Sequence, residues 1–182
     1  PCLTLNGALA QVYNATIFPI IITIGTGFHP APIDTLPFPC GVSIIGYELQ
    51  TYLQLRNPTM QASSMTGECY FSIERLRLTI AGTLNLTAVG TPASRWYTVF
   101  ENVTLDSTSA PFYMTGSAAA GHVWFNFVTA NGVTGPMVFN DMYVTTFGMY
   151  SNNIITINQN IKGGFTTLRD TDISGGGFSF NH

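Results

Sequence analysis

Two carboxylates stand close together near the end of the chain, at Asp170 and Asp172. Acidic side chains two positions apart are typical of loops that bind a divalent cation. The segment lacks the further oxygen ligands that such a loop needs, so a solvated turn is the preferred interpretation. His29, His122 and His182 are far apart in sequence and do not have the spacing of metal ligands. We therefore expect no metal site.

Covalent catalysis finds equally little support in the sequence. Cys69 stands between Glu68 and Tyr70, and neither neighbour would stabilise a thiolate. The glycine run 175–177 is not followed by the Lys and the Ser or Thr of a phosphate-binding loop. His122 is interpreted as a surface or packed histidine rather than a catalytic base. These observations favour a non-enzymatic protein without a cofactor.

The chain has 3 cysteines, Cys2, Cys40 and Cys69. In a secreted protein this number allows one disulfide and leaves one thiol over. A bond between Cys2 and Cys40 would staple the N-terminal arm to the first long strand, and its loop entropy would be worth about 4 kcal/mol. Buried free thiols are the alternative. Cys69 has the same parity as Phe71 and Ile73, so we expect it to be a core thiol.

Three sequons for N-linked glycosylation occur, at Asn14, Asn85 and Asn102. Asn57 is excluded because Pro58 follows it. Asn85 and Asn102 fall at polar positions of predicted strands, where a glycan would be tolerated. Together with the cysteines, the sequons favour an extracellular, secreted glycoprotein.

The composition is low in charge. Charged residues make up 8% of the chain, against about 25% in ordinary soluble domains. With a net charge of −3 and only 6 Lys plus Arg, binding to nucleic acid through phosphate contacts is not expected. The apolar run 17–24 is too short for a membrane span, which needs about 18 residues. The chain has no initiator Met or signal peptide, so we expect a mature or excised form.

Apolar and polar residues alternate along several stretches, as in strands with one buried side. The longest stretch, residues 75–88, has its apolar side chains at even positions, whereas residues 68–74 have theirs at odd positions. This change of phase predicts a β-bulge near Glu74 and Arg75. Further strands are predicted at residues 17–24, 43–56, 96–105, 122–129, 137–150 and 154–161.

Other stretches predict the connections. Residues 2–16 keep the spacing of a short helix. Residues 25–39 are rich in proline and predict an ordered loop. Residues 130–136 contain an Asn-Gly step and predict a hairpin. The sequence thus predicts a mainly β fold with little helix: a single-domain antiparallel structure, 1–161, with a long curved sheet or sandwich, or a jelly roll as the alternative. The Gly-rich segment 162–182 is expected to be a tail or an arm that orders on a partner.

A long strand that is apolar on one side must cover that side with something. The chain has 13 Phe, 8 Tyr, 2 Trp and 6 Met, and such residues suit either a sandwich core or the lining of an apolar cavity. The residues that we expect to line a cavity are Leu78, Ile80, Phe125, Phe127, Phe139 and Tyr143.

The order of features also resembles the insect takeout and juvenile-hormone-binding proteins, over roughly residues 27–150. Residues 27–36 look like the family's Gly-to-Pro-Leu-Asp-Pro-Leu segment, with Thr35 in place of the second Pro. The other similar segments are residues 47–57, 71–88, 112–117 and 139–144. The resemblance implies a carrier of hydrophobic ligands, in which a curved antiparallel sheet wraps a long helix. The family's long C-terminal helix has no counterpart in this sequence.

Three functions remain open. The first is a secreted carrier that binds a lipid or terpenoid in a sheet-walled apolar cavity. The second is a structural subunit of a coat, fibre or matrix that assembles with copies of itself, because little charge keeps the chains apart. The third is an adhesin-like binder of a sugar or a receptor through exposed aromatic residues such as Trp96 and Trp124.

Overall fold

The computed structural model describes residues 4–12, 19–31, 33–61, 68–81, 95–107, 112–115, 121–130, 137–140, 142–151, 155–158, 166–169, 171–173 and 178–181. These residues form mainly β-structure, which confirms the coarse prediction. Their helical part consists of one α-helix, α1 (Leu5–Val12), and one 3₁₀ turn (Glu48–Gln50). No helix in these ranges is both long enough and apolar enough to cross a membrane.

The strands are short except for two that exceed twelve residues. In chain order they are β1 (Ile20–Thr23), β2 (Gly27–His29), β3 (Phe38–Pro39), β4 (Val42–Ile45), β5 (Thr51–Arg56), β6 (Met60–Gln61), β7 (Glu68–Ala81), β8 (Arg95–Ser107), β9 (Phe112–Thr115), β10 (Gly121–Asn126), β11 (Thr129–Ala130), β12 (Met137–Asn140), β13 (Met142–Phe147), β14 (Tyr150–Ser151), β15 (Ile155–Asn158), β16 (Thr166–Arg169), β17 (Asp172–Ile173) and β18 (Phe178–Asn181).

Every strand pair in the described chain is parallel. The chain therefore winds as a β-solenoid, in which the strands of each coil stack on those of the coil before it. The predicted antiparallel sheet or sandwich is wrong, and so is the jelly-roll alternative, because those folds pair strands in opposite directions. The curved antiparallel sheet that the resemblance implied is wrong for the same reason.

The solenoid has three faces. The first face stacks β1, β4, β7, β8, β10, β13 and β16 in that order. The second face contains β2, β5, the later parts of β7 and β8, and then β11, β14 and β17. The strands that follow in each coil form the third face, with β9, β12, β15 and β18 in one sheet and β3 and β6 in another.

The core consists of rows of side chains that stack in register from coil to coil. One buried row of the first face contains Val42, Phe71, Thr98, Val123 and Val144. A second buried row contains Ile44, Ile73, Phe100, Phe125 and Thr146. Because adjacent strands lie about 4.8 Å apart, each side chain of a row contacts the next one.

The corner between the first and second faces explains the change of phase in the sequence. Buried residues alternate up to Ile73 and resume at Leu76, so the position of the change is confirmed. Arg75 lies between them with a φ of +57°. The extra residue is thus a left-handed corner of the solenoid rather than a bulge in an antiparallel pair. Asn102 takes the same place in β8, with a φ of +51°.

Several predicted elements take a different form. The short helix is confirmed, since α1 buries Leu9 and Val12. The predicted loop 25–39 contains β2 and β3, and the predicted strand 43–56 is divided into β4, the 3₁₀ turn and β5. The hairpin predicted at 130–136 is wrong, because β11 and β12 pair with strands of other coils and not with each other. Residues 162–182, which we expected to be a tail or an arm, contribute β16, β17 and β18.

The disulfide joins Cys40 to Cys69, with 5.2 Å between their Cα atoms. The predicted Cys2–Cys40 pairing is therefore wrong, and Cys69 is not a free thiol. Cys2 lies outside the described residues. The bond links two adjacent coils, since Val42 and Phe71, two positions further along, are register partners. Cys40 and Cys69 are both buried, as the parity of Cys69 predicts.

Candidate functional site

Four ring-bearing side chains form a row on the outer side of the first face. Tyr70, Tyr97, His122 and Tyr143 occupy register positions on β7, β8, β10 and β13. Each one directly precedes a buried residue of the core row that begins at Val42, so strand alternation turns it outward. We call this row the aromatic ladder.

The rings of the aromatic ladder stack on one another. The centroids of Tyr70 and Tyr97 are 4.6 Å apart, those of Tyr97 and His122 are 4.8 Å apart, and those of His122 and Tyr143 are 4.4 Å apart. The interplanar angles of these pairs are 13°, 26° and 9°. Because these separations are close to the spacing of parallel strands, about 4.8 Å, the backbone register itself holds the rings in contact.

Trp124 gives the ladder a second kind of aromatic surface. It lies on β10, in the neighbouring outward row, with its ring centroid 5.7 Å from that of Tyr97 and tilted by 59°. Stacked rings cover each other's faces, whereas the tilted ring of Trp124 leaves part of its own face uncovered by Tyr97. Tyr70, the first ring of the described ladder, is 47% exposed. Tyr97, which lies between Tyr70 and His122, is 9% exposed.

Hydroxyl groups flank the ladder along the row of Trp124. Ser43, Ser72, Thr145 and Thr167 lie in this row. The Ser43 and Ser72 Oγ atoms are 2.8 Å apart, and Ser72 Oγ donates to Glu74 Oε1 at 2.6 Å. The outer side of the first face therefore combines aromatic rings with hydrogen-bonding groups.

Charged residues occupy the outward rows at both edges of this surface, with the register partners Glu68 and Arg95 before the ladder. Glu74 and Glu101 are register partners in the outward row nearest the corner, and Arg169 lies in the same row towards β16. The rows of the ladder and of Trp124 contain no carboxylate, lysine or arginine among the described residues. Such a surface favours a neutral ligand over a strongly charged one.

The outer side of the first face offers aromatic rings and hydroxyl groups to a ligand. In the described ranges, no group of three or more His, Cys, Asp and Glu side chains is placed to hold a metal ion. His122, the ladder's one imidazole, is stacked between two tyrosines. The rings and hydroxyls can contact the C–H groups and hydroxyls of a ligand that lies along the solenoid axis.

Five of the six residues predicted to line a cavity lie either in the core or at the corner of the solenoid. Leu78, Ile80, Phe125 and Phe139 are buried in the core, and Phe125 packs edge-on against Phe139 with a centroid distance of 5.7 Å. Phe127 lies at the corner, with a φ of +53° and 54% of its side chain exposed. These residues therefore do not enclose one cavity.

The remaining predicted residue, Tyr143, belongs to the aromatic ladder. Sequence reasoning missed Tyr70 and Tyr97 as site residues and placed His122 only as a surface or packed histidine. Strand alternation could have placed each ring on the outer side, since each of the four lies one position before a buried residue. Their alignment with one another depends on the strand register, which the sequence does not provide.

Of the three predicted glycosylation sites, the described chain contains one. Asn102 is exposed at the corner between the first and second faces. Asn14 and Asn85 lie outside the described residues.

Comparison with known proteins gives no relative from which a function could be inferred. No family model, curated protein or solved structure matches the chain.

Proposed function

We propose that this chain is a non-enzymatic, extracellular β-solenoid that binds a neutral polysaccharide along the outer side of its first face. The observation that supports this function best is the aromatic ladder, which continues in register across four strands beside Trp124. Of the three functions left open by the sequence, this one is the adhesin-like sugar binder.

A polysaccharide suits the chemistry of this surface. Its sugar rings carry patches of C–H groups that can pack against the tilted ring of Trp124 and the exposed ring of Tyr70. The other stacked rings present their edges, which are polar in Tyr and His. Its hydroxyls can exchange hydrogen bonds with the serine and threonine row that contains Ser72 and Thr145. A ligand that repeats along its length also suits a protein surface that repeats from coil to coil.

Other polymers suit the surface less well. Single-stranded nucleic acid also stacks on aromatic side chains, but it needs a basic groove for its phosphates. The chain has 6 Lys plus Arg and a net charge of −3. The carboxylates Glu74 and Glu101 at the edge of the first face would repel a polyanion.

Binding to a panel of neutral polysaccharides tests the proposal. We suggest cellulose, xylan, mannan, starch and chitin, with affinity electrophoresis for the soluble forms and pull-down for the insoluble ones. Trp124→Ala should weaken binding by about 10- to 100-fold, the usual effect of losing one aromatic stacking contact. Tyr70→Ala should weaken it in the same direction.

Tyr47→Ala is the matched control. Tyr47 is 59% exposed, more than Tyr70, but it lies outside the ladder beside the 3₁₀ turn. Its removal should leave affinity unchanged. The proposal fails if none of these polysaccharides binds, or if Trp124→Ala and Tyr70→Ala bind as well as Tyr47→Ala.

The carrier function is less well supported by the geometry, because Leu78, Ile80, Phe125 and Phe139 pack in the core instead of lining a hollow. An open groove of about 400 Å³ does exist between α1 and β1, next to Leu5, Val12 and Ile22. None of the six predicted lining residues contributes to it.

Self-assembly is a second candidate, and one observation favours it. Leu168 on β16 continues the inward row of Phe125 and Thr146, yet it is 37% exposed. Among the described strands, β16 pairs only with β13, and we propose that a strand of a second copy adds at its other edge. Light scattering over a range of concentrations tests this function: a monomer at every concentration contradicts it, and a Leu168→Lys variant should reduce any association.

A further inference from the structure

The corner between the first and second faces carries a column of residues in an unusual conformation. Arg75, Asn102 and Phe127 have φ angles of +57°, +51° and +53°. They follow the register partners Glu74, Glu101 and Asn126, which lie on β7, β8 and β10, neighbouring strands of the first face. Asn102 and Phe127 are therefore neighbours on adjacent coils, each at the point where the chain turns.

Asn102 combines exposure with a modification motif. It begins the sequon formed with Val103 and Thr104. Its side chain is exposed, while Val103 is buried in the core beneath it and Thr104 is half-buried. The strand that carries the sequon thus fixes the position of the Asn102 side chain, and a group attached to Asn102 would project from the corner.

A groove lies beside Asn102 and has the size of a small ligand. Its volume is about 430 Å³, and Arg75, Asn102, Thr104 and Phe127 contribute to its lining. Phe127 is 54% exposed there. Its ring is held by an edge-on contact with Phe147, at a centroid distance of 5.0 Å, so it is fixed in place.

Gly148 helps to fix the ring as well. A Cβ at Gly148 would lie 2.8 Å from Cδ1 of Phe127, so the ring of Phe127 occupies the space over this glycine. Gly148 also has a left-handed φ of +64°. The exposed ring of Phe127 is thus part of the corner's structure and provides a firm apolar wall beside Asn102.

We infer that Asn102 accepts an N-linked glycan, and that the first sugar of this glycan packs in the corner groove against Phe127. In the transfer, Nδ2 of Asn102 forms a bond to the anomeric carbon of a lipid-linked oligosaccharide pyrophosphate. The bond between that carbon and the pyrophosphate oxygen breaks, the amide loses one proton, and the lipid pyrophosphate leaves. A host oligosaccharyltransferase carries out this step on the extended chain, before Val103 becomes buried. The inference does not depend on polysaccharide binding by the ladder.

Secretion from a eukaryotic host behind a cleavable export signal tests the modification. Peptide mapping should find a glycan on Asn102 in the folded, secreted protein, and Asn102→Gln should remove it. Asn57, which Pro58 follows, is the negative control within the same chain. An unoccupied Asn102 in the folded protein overturns the inference.

The position of the first sugar is tested by trimming the glycan. An endoglycosidase that leaves a single N-acetylglucosamine should preserve the thermal stability of the glycosylated protein, whereas complete deglycosylation should lower its Tm by about 2 °C or more. This loss should disappear in the Phe127→Ala background and persist in Phe127→Tyr, which keeps the ring. Equal Tm values for the trimmed and fully deglycosylated proteins would show that the sugar does not pack against Phe127.

Discussion

Replacing Gly46 by alanine tests how closely successive coils pack. Gly46 follows β4, and its N–H donates to the Glu74 carbonyl of the next coil at 2.9 Å. An added Cβ would lie 2.7 Å from Cβ of Leu76, 2.8 Å from the carbonyl oxygen of Arg75 and 3.0 Å from Cβ of Thr51. None of these atoms can move by side-chain rotation, so the neighbouring coil must shift.

The cost of this shift can be estimated. Overpacking a well-packed site usually costs 1–3 kcal/mol, and three fixed contacts place Gly46→Ala near the upper limit, at about 3 kcal/mol. For a chain of this length, each kcal/mol lowers Tm by about 2–4 °C, so we expect a decrease of about 6–12 °C. Thermal and urea unfolding followed by circular dichroism would measure it.

Gly25→Ala is the matched control for Gly46→Ala. A Cβ at Gly25 would meet nothing within 4 Å, so the free energy of unfolding should change by no more than about 0.5 kcal/mol. The coils are not packed as described if Gly46→Ala is as stable as the unsubstituted protein. The same conclusion follows if Gly25→Ala lowers the free energy of unfolding as much as Gly46→Ala does.

Two further predictions concern bonds between coils. Replacing both Cys40 and Cys69 by serine opens a loop of 29 residues, which should lower the free energy of unfolding by about 3–4 kcal/mol in urea titrations; an unchanged urea midpoint would contradict the pairing. Asp106→Asn removes the ion pair with Arg77, whose Nη2–Oδ2 distance is 3.0 Å. Because both side chains are partly exposed, the free energy of unfolding should fall by at most about 1 kcal/mol, and by less at high salt. A decrease that does not depend on salt would argue against an ionic contribution.

The sequence predicts the sides of many strands but not their partners. Alternation identifies Phe71 and Ile73 as buried, and then Leu76 and Leu78, because burial depends only on the side of the strand. It does not indicate whether the neighbouring strand is parallel. The register offsets between coils also vary: Val42 pairs with Phe71, 29 positions later, whereas Gly121 pairs with Met142, 21 positions later. Offsets of unequal length give no fixed period from which a solenoid could be recognised.

Two errors in the predicted site have different physical origins. Phe127 has the parity of Val123 and Phe125, but a left-handed corner residue interrupts the alternation, so its ring is exposed. Cys40 and Cys69 each precede a residue of the same core row by two positions. Their pairing becomes evident only when the register of β4 and β7 is known, and the sequence alone does not provide that register.

Cross-linking across the aromatic ladder tests the central claim most directly, which is that parallel coils stack in register and align its rings. In a Cys2→Ser background, His122→Cys with Tyr143→Cys places thiols on register partners, and a disulfide between them should form and be found by mass mapping of non-reduced peptides. Tyr97→Cys with Tyr143→Cys places thiols two strands apart, about 9.6 Å, beyond the reach of a disulfide, and should remain reduced. A bond in the second variant, or none in the first, would contradict the register and the binding surface built on it.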